Sequence, residues 1–381
     1  MKVTVAIDSF KGSLTSLEAG EAAREGILRA YPDAEVAVFP VADGGEGTME
    51  ALVTACSGEW IGITVSDPLG RPIKARYGYL PHNKTAIIEM AEAAGITRIS
   101  AEERDPMKTT TYGVGEMIAD AITRGCRRFI VGIGGSATND GGVGMLRALG
   151  FSFADRFGEP IGYGAEGLSA LASIDLSSGR RELTECRFLV ACDVKNPLCG
   201  ELGCSTVYGP QKGASAEQIK DMDEWLKNYA RLTGEVIPSA DPNFAGAGAA
   251  GGMGFALMSY LGARLVSGVE LVLGEIGAER EIALSDAVVT GEGRLDGQSC
   301  MGKLPVGVAT VAKKYNKPCL AFSGAVSEDA GALNSYGIDA FFPILRSVCT
   351  LEDAMNKENA IKNLRNTAEQ AFRLIKISRG E

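Results

Sequence analysis

The chain has a single histidine, His82, and no Cys-x-x-Cys pair among its nine cysteines. One histidine excludes Ser-His-Asp triads, multi-histidine metal sites and HExxH proteases. An odd cysteine count without paired spacing argues for free thiols in a reducing compartment. Cys192, Cys199 and Cys204 lie close together, at a spacing unusual for zinc. No block of like charge exceeds three residues, so acidic and basic tails are missing. No apolar stretch approaches the roughly 20 residues of a membrane span. The apolar run Val3–Ile7 is too short for a signal peptide, and a cytoplasmic protein without membrane partners is expected. At a net charge of −10, the chain has nothing to gain from releasing nucleic-acid counterions. Catalysis must rest on carboxylates, lysines, arginines, hydroxyls and backbone amides.

Glycine, by contrast, is plentiful: 49 in 381 residues, with no three-residue period. That points to tight turns and close backbone approaches, as in ligand-holding loops. With 45% hydrophobic residues, the chain is long enough for about two domains. A strand is expected at Val3–Ile7, stopping at Asp8-Ser9. Thr15-x-x-Glu18 is a capping box opening a helix that ends at Tyr31-Pro32. Residues 60–80 read as a twisted hairpin about Asp67-Pro-Leu-Gly-Arg71-Pro. Strands are expected at Arg127–Ile133, Phe188–Cys192, Ala287–Thr290 and Pro318–Phe322, each running into a polar or glycine-rich cluster. Strands alternating with helices predict an α/β fold with a largely parallel sheet, its ligands beyond the carboxyl ends of the strands. The hairpin-rich middle predicts a second domain inserted into the first.

Three glycine patterns are candidates for anion binding. Gly246-x-Gly248-x-x-Gly251 matches the dinucleotide fingerprint but follows Asp241-Pro-Asn-Phe-Ala rather than an apolar strand, so a nicotinamide site is not expected there. Gly297-x4-Gly302-Lys303 nearly matches a P-loop, with Leu304 where the magnesium-binding hydroxyl should stand. Gly132–Gly142 follows a strand, opens a helix and carries Ser136, Thr138, Asn139 and Asp140. It is either an anion cradle or a tight turn with capping side chains.

The acids say more. Asp8, Asp43, Glu46, Asp140, Asp193, Glu292 and Asp296 all follow expected strand ends. A lone Asp there is ordinarily a helix N-cap. Several converging carboxylates repel one another and call for a cation or a proton between them. Magnesium with a phosphorylated substrate answers that economically. Lys11, Lys195, Lys212 and Arg294 lie close to these clusters or inside glycine loops. These are the parts of phosphoryl transfer. They would also suit a metal-dependent phosphatase or a sugar-phosphate binder.

Seven segments, taken in order, resemble the type-1 glycerate kinases across nearly the whole chain: Asp8-Ser-Phe-Lys-Gly-Ser-Leu14, Val41-Ala-Asp-Gly-Gly-Glu-Gly-Thr48, Ile133-Gly-Gly-Ser-Ala-Thr-Asn-Asp-Gly-Gly142, Ala191-Cys-Asp-Val-Lys-Asn-Pro-Leu198, Gly209-Pro-Gln-Lys-Gly213, Gly246-Ala-Gly-Ala-Ala-Gly-Gly-Met-Gly254 and Val289-Thr-Gly-Glu-Gly-Arg-Leu-Asp296. The resemblance implies a flavodoxin-like or Rossmann-like parallel-sheet domain, residues 1–65 with 285–381, interrupted by a second α/β domain over 66–284. It implies a kinase that uses ATP and magnesium to turn D-glycerate into 2-phosphoglycerate, as a monomer or homodimer. The alternatives are a kinase giving 3-phosphoglycerate or acting on another small hydroxy acid, and a non-catalytic binder of phosphorylated metabolites.

The resemblance supports a site in these segments, and side-chain chemistry supplies the expected individual roles. Asp193, Asp296 and Lys11 are the expected catalytic groups. Arg294, Asp8, Ser9, Asp43 and Ser323 are expected on the substrate, with Arg294 clamping its carboxylate. Gly134, Gly135, Ser136, Asn139, Lys212 and Gly248 are expected on ATP. Asp43, Glu46 and Glu292 are the expected magnesium ligands.

Overall fold

The computed structural model describes residues 1–41, 48–297, 299 and 303–380. In chain order its strands are β1 (Lys2–Ile7), β2 (Glu35–Val38), β3 (Glu59–Ser66), β4 (Pro72–Leu80), β5 (Thr85–Glu89), β6 (Arg128–Gly132), β7 (Ser152–Ala154), β8 (Ser173–Asp175), β9 (Arg187–Ala191), β10 (Arg264–Val266), β11 (Ala287–Leu295), β12 (Cys319–Val326) and β13 (Ala340–Pro343). The chain forms two compact units, Met1–Asp43 with Val269–Glu381, and Gly44–Gly268.

In the first unit the sheet order is β2-β1-β11-β12-β13, with every neighbouring pair parallel. Counted within the unit this is the flavodoxin order, whose switch point lies between the first and third strands, here β1 and β11. Val3, Val5 and Ile7 are buried together with Thr4 and Ala6, as expected of a parallel strand covered on both faces. The helix Ser16–Ala30 starts where its capping box requires: Thr15 Oγ1 accepts from Glu18 N–H, and the Glu18 carboxylate accepts from Thr15 N–H. Its Ala19, Ala23 and Ile27 pack with Leu364 and Phe372 of the helix Lys357–Ser378 and with Phe322 of β12. Each buried phenylalanine contributes roughly 2–3 kcal/mol.

The second unit holds a mixed sheet, β10-β9-β6-β5-β4-β3. β10, β9, β6 and β5 are parallel, while β4 and β3 are antiparallel. The expected hairpin is the β3–β4 pair. Its turn is held by Asp67, whose carboxylate accepts from the N–H groups of Leu69 and Arg71 and from Arg71 Nε. Phe129 and Phe188 are register partners on β6 and β9, and their rings stack at 4.6 Å between centroids. A short antiparallel pair, β7–β8, was not foreseen from the sequence.

Two strands run further than their composition suggests. The glycines of Val289-Thr-Gly-Glu-Gly-Arg-Leu read as a loop after Thr290, yet β11 continues to Leu295. Parallel pairing with β12 carries it on, placing Glu292 beside Ser323 and Arg294 beside Ala325. Glycine weakens a strand, but a long neighbour already in register supplies the ladder bonds. None of the helices among the described residues is long and apolar enough to cross a membrane.

Candidate active site

The switch point of the first unit gathers charged side chains. Asp8 follows β1 and is fixed there by its own N–H, which donates to the Gly291 carbonyl of β11. Its Oδ1 accepts from Ser9 N–H at 2.6 Å. On β11, Glu292 is only 9% exposed. Ser299 Oγ donates to Glu292 Oε1 at 2.5 Å, and Lys303 Nζ stands 4.0 Å from Oε2. Burial pushes the Glu292 carboxyl above its usual range, and the charges of Asp8 and Asp296 push it further; the Ser299 bond and Lys303 pull it back. Ser299 also accepts from Asp296 N–H, so one hydroxyl joins the two acid-bearing segments. Arg294 Nε lies 3.6 Å from Asp296 Oδ2, with 69% of the Arg294 side chain still exposed.

Of the residues expected here, Asp8, Ser9, Glu292, Arg294 and Asp296 lie together around the ends of β1 and β11. Lys11 is exposed on the adjoining loop, its backbone against Gly293. Ser323 is fully buried, and its hydroxyl donates to Ala325 O and accepts from Leu295 N–H. It braces β11 against β12. Asp43 and Glu46 lie outside the described residues. Sequence reasoning missed Ser299 and Lys303. They sit in the glycine-rich Gly297–Lys303 stretch, whose pattern resembled a phosphate loop and hid their pairing with Glu292.

The second unit carries a cleft of about 390 Å³ beyond the ends of β6 and β9. Gly134, Gly135, Ser136, Asp193, Lys212 and Ala250 line it. The Gly135 carbonyl accepts from Ile96 N–H, and Ala137 N–H donates to Ala94 O. Between these anchors, the N–H groups of Gly134, Gly135 and Ser136 have no hydrogen-bond partner among the described residues. Both glycines are exposed. A row of undischarged amides is an anion nest. Asp193 Oδ1 accepts from Gly268 N–H at 3.0 Å. Tyr208 and Gln211 also line the cleft; Gln211 belongs to the matched segment Gly209–Gly213, and Tyr208 just before it had no signal in the sequence.

The expected ATP contacts separate here. Lys212 reaches the cleft with its side chain almost wholly buried, and its Nζ donates to Thr138 O at 2.6 Å. Asn139 turns inward, fully buried, with Nδ2 donating to Ser205 Oγ. Asp140 is structural: its buried carboxylate accepts from the N–H groups of Thr111, Gly142 and Gly144 and from Thr111 Oγ1. Gly248 is packed beneath the next loop, where a Cβ would stand 2.2 Å from Pro197 O. Gly251, at φ +69°, leaves no room for a Cβ beside Thr138 O, and its own carbonyl accepts from Gly141 N–H. The run that imitates a dinucleotide fingerprint is therefore a brace under the two cleft loops. Ala250 between them is also left-handed, at φ +53°.

No group of three or more His, Cys, Asp or Glu side chains is arranged as a metal cage among the described residues. Magnesium does not need one. It is ordinarily held by one or two carboxylates together with substrate phosphates and water. Glu292, raised first by burial and further by the charges of Asp8 and Asp296, is a carboxylate whose charge a nearby cation would favour.

Comparison with known proteins agrees over the full length. Residues 3–376 match the model of the glycerate kinase family. A relative from Escherichia coli K12 named glycerate 2-kinase is 45% identical over 97% of each chain. A Bacillus subtilis 168 relative named glycerate kinase is 44% identical, covering 100% of this chain and 99% of its own. A crystal structure from Salmonella typhimurium LT2, provisionally named glycerate kinase 2, superposes with a TM-score of 0.88 at 44% identity over the whole of both chains. The chain belongs to the glycerate kinase family.

Proposed function

We propose that the protein is a glycerate kinase that transfers the γ-phosphoryl group of ATP to the 2-hydroxyl of D-glycerate, giving 2-phosphoglycerate and ADP. The observation that carries this reading is the near-complete match to relatives named for that activity, one of them for the 2-position. The geometry supports roles for individual residues. Arg294, exposed beside Asp296, offers a planar fork to the glycerate carboxylate. Asp8 and Ser9 at the end of β1 receive the hydroxyls. Asp296 accepts the proton of the attacking hydroxyl as its oxygen bonds to the γ-phosphorus and the bond to the ADP oxygen breaks. Asp193 is the alternative acceptor. The cleft of the second unit takes the nucleotide, its phosphates on the amides of Gly134, Gly135 and Ser136. Lys11 neutralises phosphate charge.

Magnesium, when bound, neutralises charge on the phosphates. Glu292 with Asp8 would hold it. The reading is tested by ADP release from ATP in the presence of D-glycerate, tartronate or no acceptor. Release that depends on D-glycerate supports it. Equal release with no acceptor, or release with tartronate alone, overturns it.

A further inference from the structure

Lys212, expected on the nucleotide, is the most deeply buried charged side chain lining the cleft of the second unit. It ends the short turn Pro210–Lys212, and Gly213, at φ +94°, packs its backbone onto the Arg104 carbonyl, so the turn is fixed in place. The side chain lines the cleft although only 2% of the residue is exposed. One N–H of its ammonium goes to the Thr138 carbonyl, at the centre of the loop that also carries Gly134, Gly135 and Ser136. An ammonium has three donors and no acceptor. Asp140, the nearest acid on that loop, is already saturated by backbone and threonine donors. Lys212 is thus a buried cation that lines a ligand cavity, with one of its three donors latched to Thr138.

We propose that Lys212 is the residue by which this cleft tells phosphorylated from unphosphorylated ligands, its ammonium shared between the Thr138 carbonyl and a bound phosphate. This rests on the reading of the cleft as the nucleotide site. Two consequences follow. Losing the charge weakens affinity for the phosphates and leaves the rest of the ligand's contacts alone. The charge is also easily lost, because burial brings the Lys212 ammonium down to about 8 from the usual 10.5. The other titratable groups facing it do not compensate in that range. The Cys204 thiol is held up at about 11, Asp140 is buried and bonded, and Asp193 lines the same cleft. Between about pH 8 and 10.5 the folded chain binds fewer protons at this site than the unfolded chain. The free protein therefore gains stability from this group as pH rises through that window, while phosphate affinity falls.

The test is calorimetric titration of the full-length protein with ADP between pH 7.5 and 9.5, a range in which the nucleotide phosphates are already ionised. ADP affinity should fall by about tenfold or more across the range, following the protonated fraction of Lys212. Lys212→Met should bind ADP more weakly at pH 7.5 and show a flat profile. Lys212→Gln, which keeps an N–H for Thr138 without the charge, should behave the same way and serves if the Met variant does not fold. An unchanged slope in either variant, or a flat profile in the wild type, overturns the proposal alone. ADP that binds at no pH overturns the nucleotide reading and this proposal with it.

Discussion

Ser299 Oγ donates a 2.5 Å hydrogen bond to Glu292 Oε1, joining a loop residue to the acid that crosses the switch point of the parallel sheet. With Lys303 it opposes the burial and acid repulsion that raise the Glu292 carboxyl. Ser299→Ala removes that bond. A hydrogen bond to a charged group is worth about 1.5 kcal/mol, close to one pH unit. Glu292 acts ionised, so activity is lost as pH falls through its pKa, and raising that pKa moves the loss to higher pH. The acid limb of kcat/KM should shift upward by about one unit, read from a pH–rate profile. An unmoved limb would remove Glu292 from the reaction.

Asp296 is the proposed proton acceptor. Asp296→Asn keeps its shape and backbone bonds but not its basicity, so turnover should drop on the order of a hundredfold. Steady-state rates at saturating substrates measure this. A variant within threefold of wild type contradicts the assignment.

Arg294 is mostly exposed, which suits a side chain waiting for a ligand better than one holding the fold together. Arg294→Lys keeps the charge and loses the fork. The KM for glycerate should rise on the order of tenfold while the KM for ATP stays within about twofold. Equal effects on both would argue against a carboxylate clamp.

The glycine brace under the cleft makes a stability prediction. At Gly251 an added Cβ would meet Thr138 O at 2.1 Å, on a backbone with φ +69°. Gly251→Ala should destabilise the protein by roughly 2–4 kcal/mol, from left-handed strain and overpacking together. Urea unfolding would register it as a lower midpoint. A midpoint equal to wild type would mean that the loops do not depend on this contact.

The α/β class, the capping box at Thr15, the hairpin turn at Asp67 and the acids at the switch point were legible because each has a local cause in the chain. A capping residue, a turn-forming aspartate and an apolar run ending in a carboxylate are all nearest-neighbour signals. What the sequence hid was non-local. The glycines of β11 look like a loop until β12 pairs with them. Ser323 looks like a substrate contact until its hydroxyl is found between Leu295 and Ala325. Gly246–Gly254 has the letters of a cofactor fingerprint, but only the fold shows them pressed against Pro197 and Thr138. Lys212 reads as a cation of a glycine loop, but its burial and its bond to Thr138 come from the fold.

The central claim, phosphoryl transfer to D-glycerate, is tested most directly by phosphorus NMR of the purified protein with Mg-ATP and D-glycerate. The account predicts a new phosphomonoester signal split into a doublet by the single proton on C2. A triplet would place the phosphate on the C3 methylene and contradict the assigned position. ATP that remains intact in the presence of folded protein would contradict the activity itself.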